Sequence, residues 1–302
     1  MSLFSFLDSL CHKVVDHGRF KPNILSNNDT IDLVLEKKLS VARYGDGEFN
    51  MMLGKAKDIR FQTASAELSK KLRSVFLHPT PNVLICIPKV FDWKDRLLMN
   101  RNARKFWSRY LNKQSSVFFE LISEKTYYGN ALLSRPYIDY LKTDYHYKRS
   151  AQYFSKIKTL WDSKKVLIVE GELTRFGVGN ALLDNALEVK RILCPAENCW
   201  SCVSEILKTT LTVSDNFDLV ILALGPTATV LANDLAEHNI QALDLGHLDI
   251  EYEWFLQRAS SKSLVKGKYV NEVRGGSSLD EVREDSKFNA EILFRITPIS
   301  SK

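Results

Sequence analysis

The 302-residue chain lacks any run of about 18 consecutive apolar residues, which argues against a membrane-spanning helix. Its apolar start does not read as a secretory leader, since Asp8 and His12 interrupt it and no small-residue cleavage site is evident. Cysteine is scarce and odd in number, five in all, which does not suit a disulfide framework. Cys194, Cys199 and Cys202 end in a C-x-x-C, but a second such pair and a neighbouring histidine are missing, so a four-ligand zinc site is not assembled. Charge of one sign is lacking too. Forty-two basic against 36 acidic residues leave +6, compatible with an anionic ligand and too little to mark a nucleic-acid binder. No G-x-S-x-G elbow is present and no cysteine stands in a nucleophile setting, so acyl transfer fits poorly. No repeat, low-complexity tract or linker divides the chain. The expectation is a single soluble, cytoplasmic domain over 1–302, with homo-oligomerisation and contact with the inner face of the membrane left open.

What is present is a 45% hydrophobic, 11% aromatic composition, ample for a packed core. The chain is organised around Arg43-Tyr44-Gly45-Asp46-Gly47-Glu48-Phe49, which follows the apolar run Leu39-Ser40-Val41-Ala42. Asp46 and Glu48 lie two apart between glycines. On a strand such residues share a side, and in a glycine-loosened turn they can converge. Two hard oxygen donors suit Mg²⁺ or Mn²⁺, with water and phosphate completing the shell. Arg43 adds a forked cation for phosphate. The plainer alternative is a strand-to-helix turn in which the Asp caps the next helix.

In chain order, Leu3, Phe6, Leu7 and Leu10 make a helical stripe, and Asp29-Thr30 can cap a second helix. A strand at 39–43 delivers the D-x-E turn, a helix covers 65–76, and 82–88 reads as a buried strand. Residues 92–113 mix basic and aromatic side chains. They suit either a helix resting on an anionic membrane or acidic acceptor, or a core stripe of Leu97, Leu98, Phe106 and Tyr110 with a solvated back; the second is preferred. A strand is expected at 130–133 and a helical region at 138–163. Then strands at 165–171, 189–193, 218–224 and 241–246 alternate with helices, one of them opened by Gly177-Val178-Gly179-Asn180. A polar extension, 274–302, reads as partly loop.

This alternation predicts an α/β, Rossmann-like, mostly parallel sheet with helices on both faces. Ligands of such sheets sit beyond the carboxyl ends of the strands. The D-x-E turn, the 171–180 loop, the turn at Gly225-Pro226-Thr227 and the segment 246–251 all follow strands, so they can share one rim. Helix N-termini there suit a diphosphate, and a divalent ion beside them would offset charge on a departing phosphate. Departure of a nucleoside diphosphate from a sugar fits this inventory.

Four motifs occurring in order, from about residue 40 to 273, carry a resemblance. They are the D-x-E stretch, Val169-Glu170-Gly171 with Arg175 and Gly177–Asn180, Leu224–Ala232, and Asp244–Trp254. Together they resemble the GT-D type glycosyltransferases of bacterial surface glycan and glycoprotein assembly. The resemblance implies a metal-dependent enzyme with a nucleotide-sugar donor, UDP-linked, and a glycan, lipid-linked glycan or glycoprotein acceptor. Asp46 and Glu48 match the family's metal motif. Arg43, Gly45, Arg175, Gly179, Asn180, Gly225 and Thr227 are candidate nucleotide contacts, and His247, Asp249 and Glu251 candidate catalytic groups on the acceptor side. One departure is Ala181, where an acidic residue is expected. Two alternatives stay open. One is an NAD(P)-dependent oxidoreductase, with Gly177-x-Gly179 opening a helix and Glu197 twenty residues on; the other is a non-catalytic nucleotide-sugar binder.

Overall fold

The computed structural model describes residues 21–54, 61–124, 126–276 and 285–297. The stripe expected at Leu3 to Leu10 lies outside these. Nine strands form one sheet among the described residues: β1 (Asn23–Ile24), β2 (Ser40–Arg43), β3 (Val83–Ile87), β4 (Tyr127–Asn130), β5 (Lys165–Gly171), β6 (Glu188–Cys194), β7 (Leu219–Ala223), β8 (Ala242–Asp244) and β9 (Ile292–Arg295). Their order is β1-β4-β3-β2-β8-β7-β5-β6-β9, and every pairing is parallel. The α/β, doubly covered architecture expected from the sequence is the observed one.

Alternation along the strands decides which face each side chain serves. Val41, Val166, Ile168, Leu219 and Ile221 join a core with the helices at Asn27–Lys37, Asp144–Ile157 and Leu248–Leu256. Their neighbours point the other way. Ala42 packs with the helices at Asp46–Met52, Ala66–Leu77 and Arg101–Leu121, and Leu167, Val169, Val220 and Leu222 pack with those at Val203–Val213 and Pro226–Glu237. Runs such as Val83–Ile87 are buried throughout because both faces are covered.

The structure corrects several local expectations. The helix at 27–37 is capped by Ser26, whose side chain accepts the Asp29 N–H, and not by Asp29-Thr30. The strand expected at 130–133 ends at Asn130, whose side chain caps a 3₁₀ turn at Ala131–Ser134. No helix follows Gly177–Asn180; residues 172–187 are turns, with Gly177 and Gly179 at φ 73° and 77°. The oxidoreductase alternative therefore loses the helix N-terminus its phosphate would need. The expected C-terminal loop includes a helix at Ser286–Glu291 and the edge strand β9.

In the basic and aromatic segment, Ala103, Trp107, Leu111 and Phe118 make the packed stripe of the helix Arg101–Leu121. The expected stripe does not hold: Leu97, Leu98 and Phe106 are exposed. Cys194, Cys199 and Cys202 are free thiols buried in the core. Among the described residues no helix is long and apolar enough to cross a membrane.

Candidate active site

Because the strands are parallel, their carboxyl ends open on one rim. A cavity of about 970 Å³ lies there, lined from β2 by Arg43, Gly45, Asp46 and Glu48, and from β5 by Gly171 and Thr174. The ends of β7 and β8 add Gly225, Gly246, His247 and Asp249. The shared rim expected from the sequence is thus what the fold builds. Gly225 has φ 58°, and a Cβ there would come 2.2 Å from the ring of Phe61, which also lines the cavity. This turn admits only glycine.

The D-x-E turn opens the helix Asp46–Met52. On a helix the two carboxylates point about 200° apart, so they do not share a side as on a strand. Glu48 folds back so that Oε2 accepts the Gly45 N–H at 2.8 Å, the reach-back half of a capping box, which Glu48 provides in place of Asp46. Burial pushes Glu48 up to about 7, Arg43 opposes this, and the Asp244 carboxylate adds to it. Burial raises Asp46 as well. Arg43 pairs with Asp244 at 3.5 Å across the β2–β8 junction, and Thr229 donates to Asp244 at 3.0 Å. The buried Arg43 Nε has no hydrogen-bond partner. Asp244 opens the fourth motif but was not read as a site residue; its signal was a carboxylate ending the apolar run of β8.

The loop after β5 is held from below. Asn180 donates to Asp249 at 2.8 Å and to Glu253 at 2.7 Å, and its Oδ1 accepts the Leu182 N–H. Asp249 also accepts the Gly177 N–H and is gripped by Lys268 at 2.8 and 2.6 Å. Arg175 turns away from the rim, stacking over Phe288 at 4.4 Å and reaching Asp285 at 3.4 Å. Thr227 is buried against Gln62 at 3.3 Å. Gly179, Asn180, Arg175, Thr227 and Glu251 do not line the cavity.

Elsewhere on the cavity wall His247 stands with residues the sequence did not single out. Arg135 meets Glu272 through two bonds of 3.1 Å, and Lys262 reaches the same carboxylate at 3.0 Å. His247 Nε2 lies 3.6 Å from it. Burial alone would raise Glu272, but Arg135, His247 and Lys262 outweigh it and hold the carboxyl well below its usual range. Burial lowers His247 to about 4, so its imidazole is neutral at neutral pH.

Glu251 is fully buried, and its Oε2 accepts the N–H groups of Tyr137 and Ile138 at 2.9 Å each. Its Oε1 has no partner. Burial raises it to about 7 against the pull of Arg135. The folded state therefore binds this proton more tightly than the unfolded chain, so stability falls as pH rises from about 4.5 to about 7. Glu251→Gln keeps the acceptor and removes the charge. It is expected to gain up to about 3 kcal/mol at pH 8 and less than about 1 kcal/mol at pH 5. Urea unfolding at both pH values checks this; a variant less stable than wild type at pH 8 contradicts it.

Comparison with known proteins adds four findings. A family model described as "Glycosyltransferase GT-D fold" matches residues 41–273. A relative from Streptococcus gordonii, named "Probable glycosyl transferase Gly", is 38% identical over 273 residues, covering 90% of this chain and 38% of that protein. Another, "Glycosyltransferase GlyD" of Streptococcus pneumoniae serotype 4, is 34% identical over 270 residues, covering 89% and 32%. The chain thus spans well under half the length of these curated relatives. A solved structure described by the words "The highly conserved domain of unknown function 1792 has a distinct glycosyltransferase fold" superposes with a TM-score of 0.84 at 33% identity, covering 96% of this chain and 99% of that one.

Proposed function

The chain belongs to the GT-D glycosyltransferase family, and from that premise we propose that it moves a sugar from a nucleotide-sugar donor, UDP-linked, to a glycan, lipid-linked glycan or glycoprotein acceptor in bacterial surface polysaccharide assembly. The observation that carries this reading is the cavity of about 970 Å³ on the rim of the sheet, which brings Asp46, Glu48, Arg43 and Gly225 to one space. That volume lies at the upper end for a ligand site and leaves room for donor and acceptor together.

Asp46 and Glu48 are the residues that would hold a divalent ion, Mn²⁺ or Mg²⁺. Their donor set fits one: both are hard oxygen ligands on the cavity wall, and burial, which Arg43 offsets only in part, leaves Glu48 raised in the absence of a further cation. Among the described residues no third His, Cys, Asp or Glu joins them, so water and phosphate oxygens would complete the shell. When bound, such an ion supplies charge neutralisation for a leaving diphosphate.

The chain's own groups do the rest. Arg43, fixed by Asp244, lines the cavity and supplies a cation for an anion there. The turn at Gly225 presents the N-terminus of the helix Pro226–Glu237 to the cavity. His247, neutral and on the wall, is the candidate to take a proton from an acceptor hydroxyl. Asp249, Glu251 and Asn180 act as positioning residues for the loops around them.

A thermal-shift panel of nucleoside diphosphates, UDP-sugars and NAD in Mn²⁺ tests the reading. At about 100 times its dissociation constant a ligand adds roughly 2.7 kcal/mol, so UDP is expected to raise the melting temperature by several degrees. NAD is expected to leave it unchanged. A shift with NAD alone contradicts the proposal.

A further inference from the structure

Arg135, Lys262 and His247 gather around one carboxylate, that of Glu272, on the wall of the cavity. The Arg135–Glu272 contact is fork to fork, the geometry by which arginine also holds phosphate. Arg135 keeps a second partner, Asp139, at 3.1 Å through Nε. Asp46 feels the charges of Arg135, Glu272 and Lys262, so the cluster stands within electrostatic reach of the D-x-E turn. Glu272 itself sits on a short turn that closes on its own base, Val270 N–H to Gly276 O at 2.8 Å. The segment before it is anchored separately by buried Lys268, paired with Asp249 at 2.6 Å and Glu253 at 3.2 Å. Glu272 can therefore leave Arg135 without loosening the sheet or that anchor.

We propose that Arg135 and Lys262 form an anion site that Glu272 occupies in the free protein, and that the diphosphate of the nucleotide donor takes this place when it binds. The inference rests on the donor-binding reading of the cavity given above. With Glu272 in place, Arg135 and Lys262 share its carboxylate, while Asp139 and buried Glu251 also act on Arg135. Departure of Glu272 removes one negative charge from this wall beside Asp46, and a diphosphate, which carries more charge than the carboxylate it displaces, restores it. Glu272 thus competes with the donor and stands in for its charge until the donor arrives.

The sign of one affinity change tests this. Glu272→Gln and Glu272→Ala are titrated calorimetrically with UDP and with inorganic pyrophosphate, and folding is checked by thermal melt. Removing an internal competitor is expected to tighten both ligands about tenfold, and Arg135→Gln to weaken both at least tenfold. UDP binding that is unchanged or weaker in both folded Glu272 variants overturns the proposal. Tightening of pyrophosphate without UDP overturns the donor assignment and points to a diphosphate on the acceptor. If wild type and variants bind no nucleotide at all while pyrophosphate still tightens, the anion site stands and the donor reading of the cavity fails.

Discussion

Asp46→Asn is expected to lower sugar turnover, or donor hydrolysis in the absence of acceptor, by on the order of a thousandfold or more. Two unit charges about 4 Å apart at an effective dielectric near 20 interact by roughly 4 kcal/mol, and that is about the thousandfold. Glu48→Gln is expected to do the same. Both variants keep the shape of the side chain, and the Gln oxygen can still accept the Gly45 N–H that Glu48 accepts at 2.8 Å. Their melting temperatures should stay near wild type. Glu48 could even gain, since burial disfavours its charged form. Rates from product formation, set beside thermal melts, separate the two roles of this turn. Loss of stability with rate retained would mean that the carboxylates serve only to start the helix at 46–52.

Arg191→Met is expected to destabilise the fold by about 3–5 kcal/mol, because it strands a buried charge. Glu170 is fully buried, with Arg191 against one oxygen and the Phe176 N–H donating to the other at 2.7 Å. Arg191 also donates to the Phe176 carbonyl at 2.9 Å and to Glu291 at 2.7 Å. One guanidinium thus ties β5, the loop after it and the C-terminal segment together. Urea unfolding at unchanged slope measures the loss. The double variant Glu170→Gln with Arg191→Met should recover part of it, since the unpaired charge is gone. A loss below about 1 kcal/mol for the single variant would contradict this role.

The strands were legible where burial on both faces demands continuous apolar runs, as in β3, β5 and β7. Their shared rim followed from parallel alternation alone. The helix expected after Gly177 failed for a physical reason. Leu182, Leu183, Ala186 and Leu187 have helical spacing, but Leu182 and Leu183 reach the core from turns, with Trp161 donating to the Leu182 carbonyl at 3.0 Å. Apolar spacing reports burial and leaves the backbone undetermined. In the helix Arg101–Leu121, Phe106/Tyr110 and Ala103/Trp107 are both spaced by four. The second pair faces inward because Phe118, on its stripe, packs edge-on to Phe49 and Phe91 at 5.0 and 5.4 Å. The site was half legible. Asp46, Glu48 and Arg43 announce themselves in one short stretch, and their wall of the cavity is where the fold puts them. Arg135 and Glu272 are 137 residues apart, and no spacing rule links them. β9 was hidden because Ile292-Leu293-Phe294 is a brief apolar run in a polar segment, paired only through tertiary contact with β6.

Metal-linked donor binding is tested most directly by calorimetric titration of UDP into the wild-type protein and Asp46→Asn, each in Mn²⁺ and in EDTA. The expected result is tight binding by wild type in Mn²⁺, weaker by at least tenfold in EDTA. Asp46→Asn should bind at the EDTA level in both buffers. Equal affinity of the wild type in Mn²⁺ and EDTA, unchanged by Asp46→Asn, would contradict the assignment of Asp46 and Glu48 to a metal-held diphosphate.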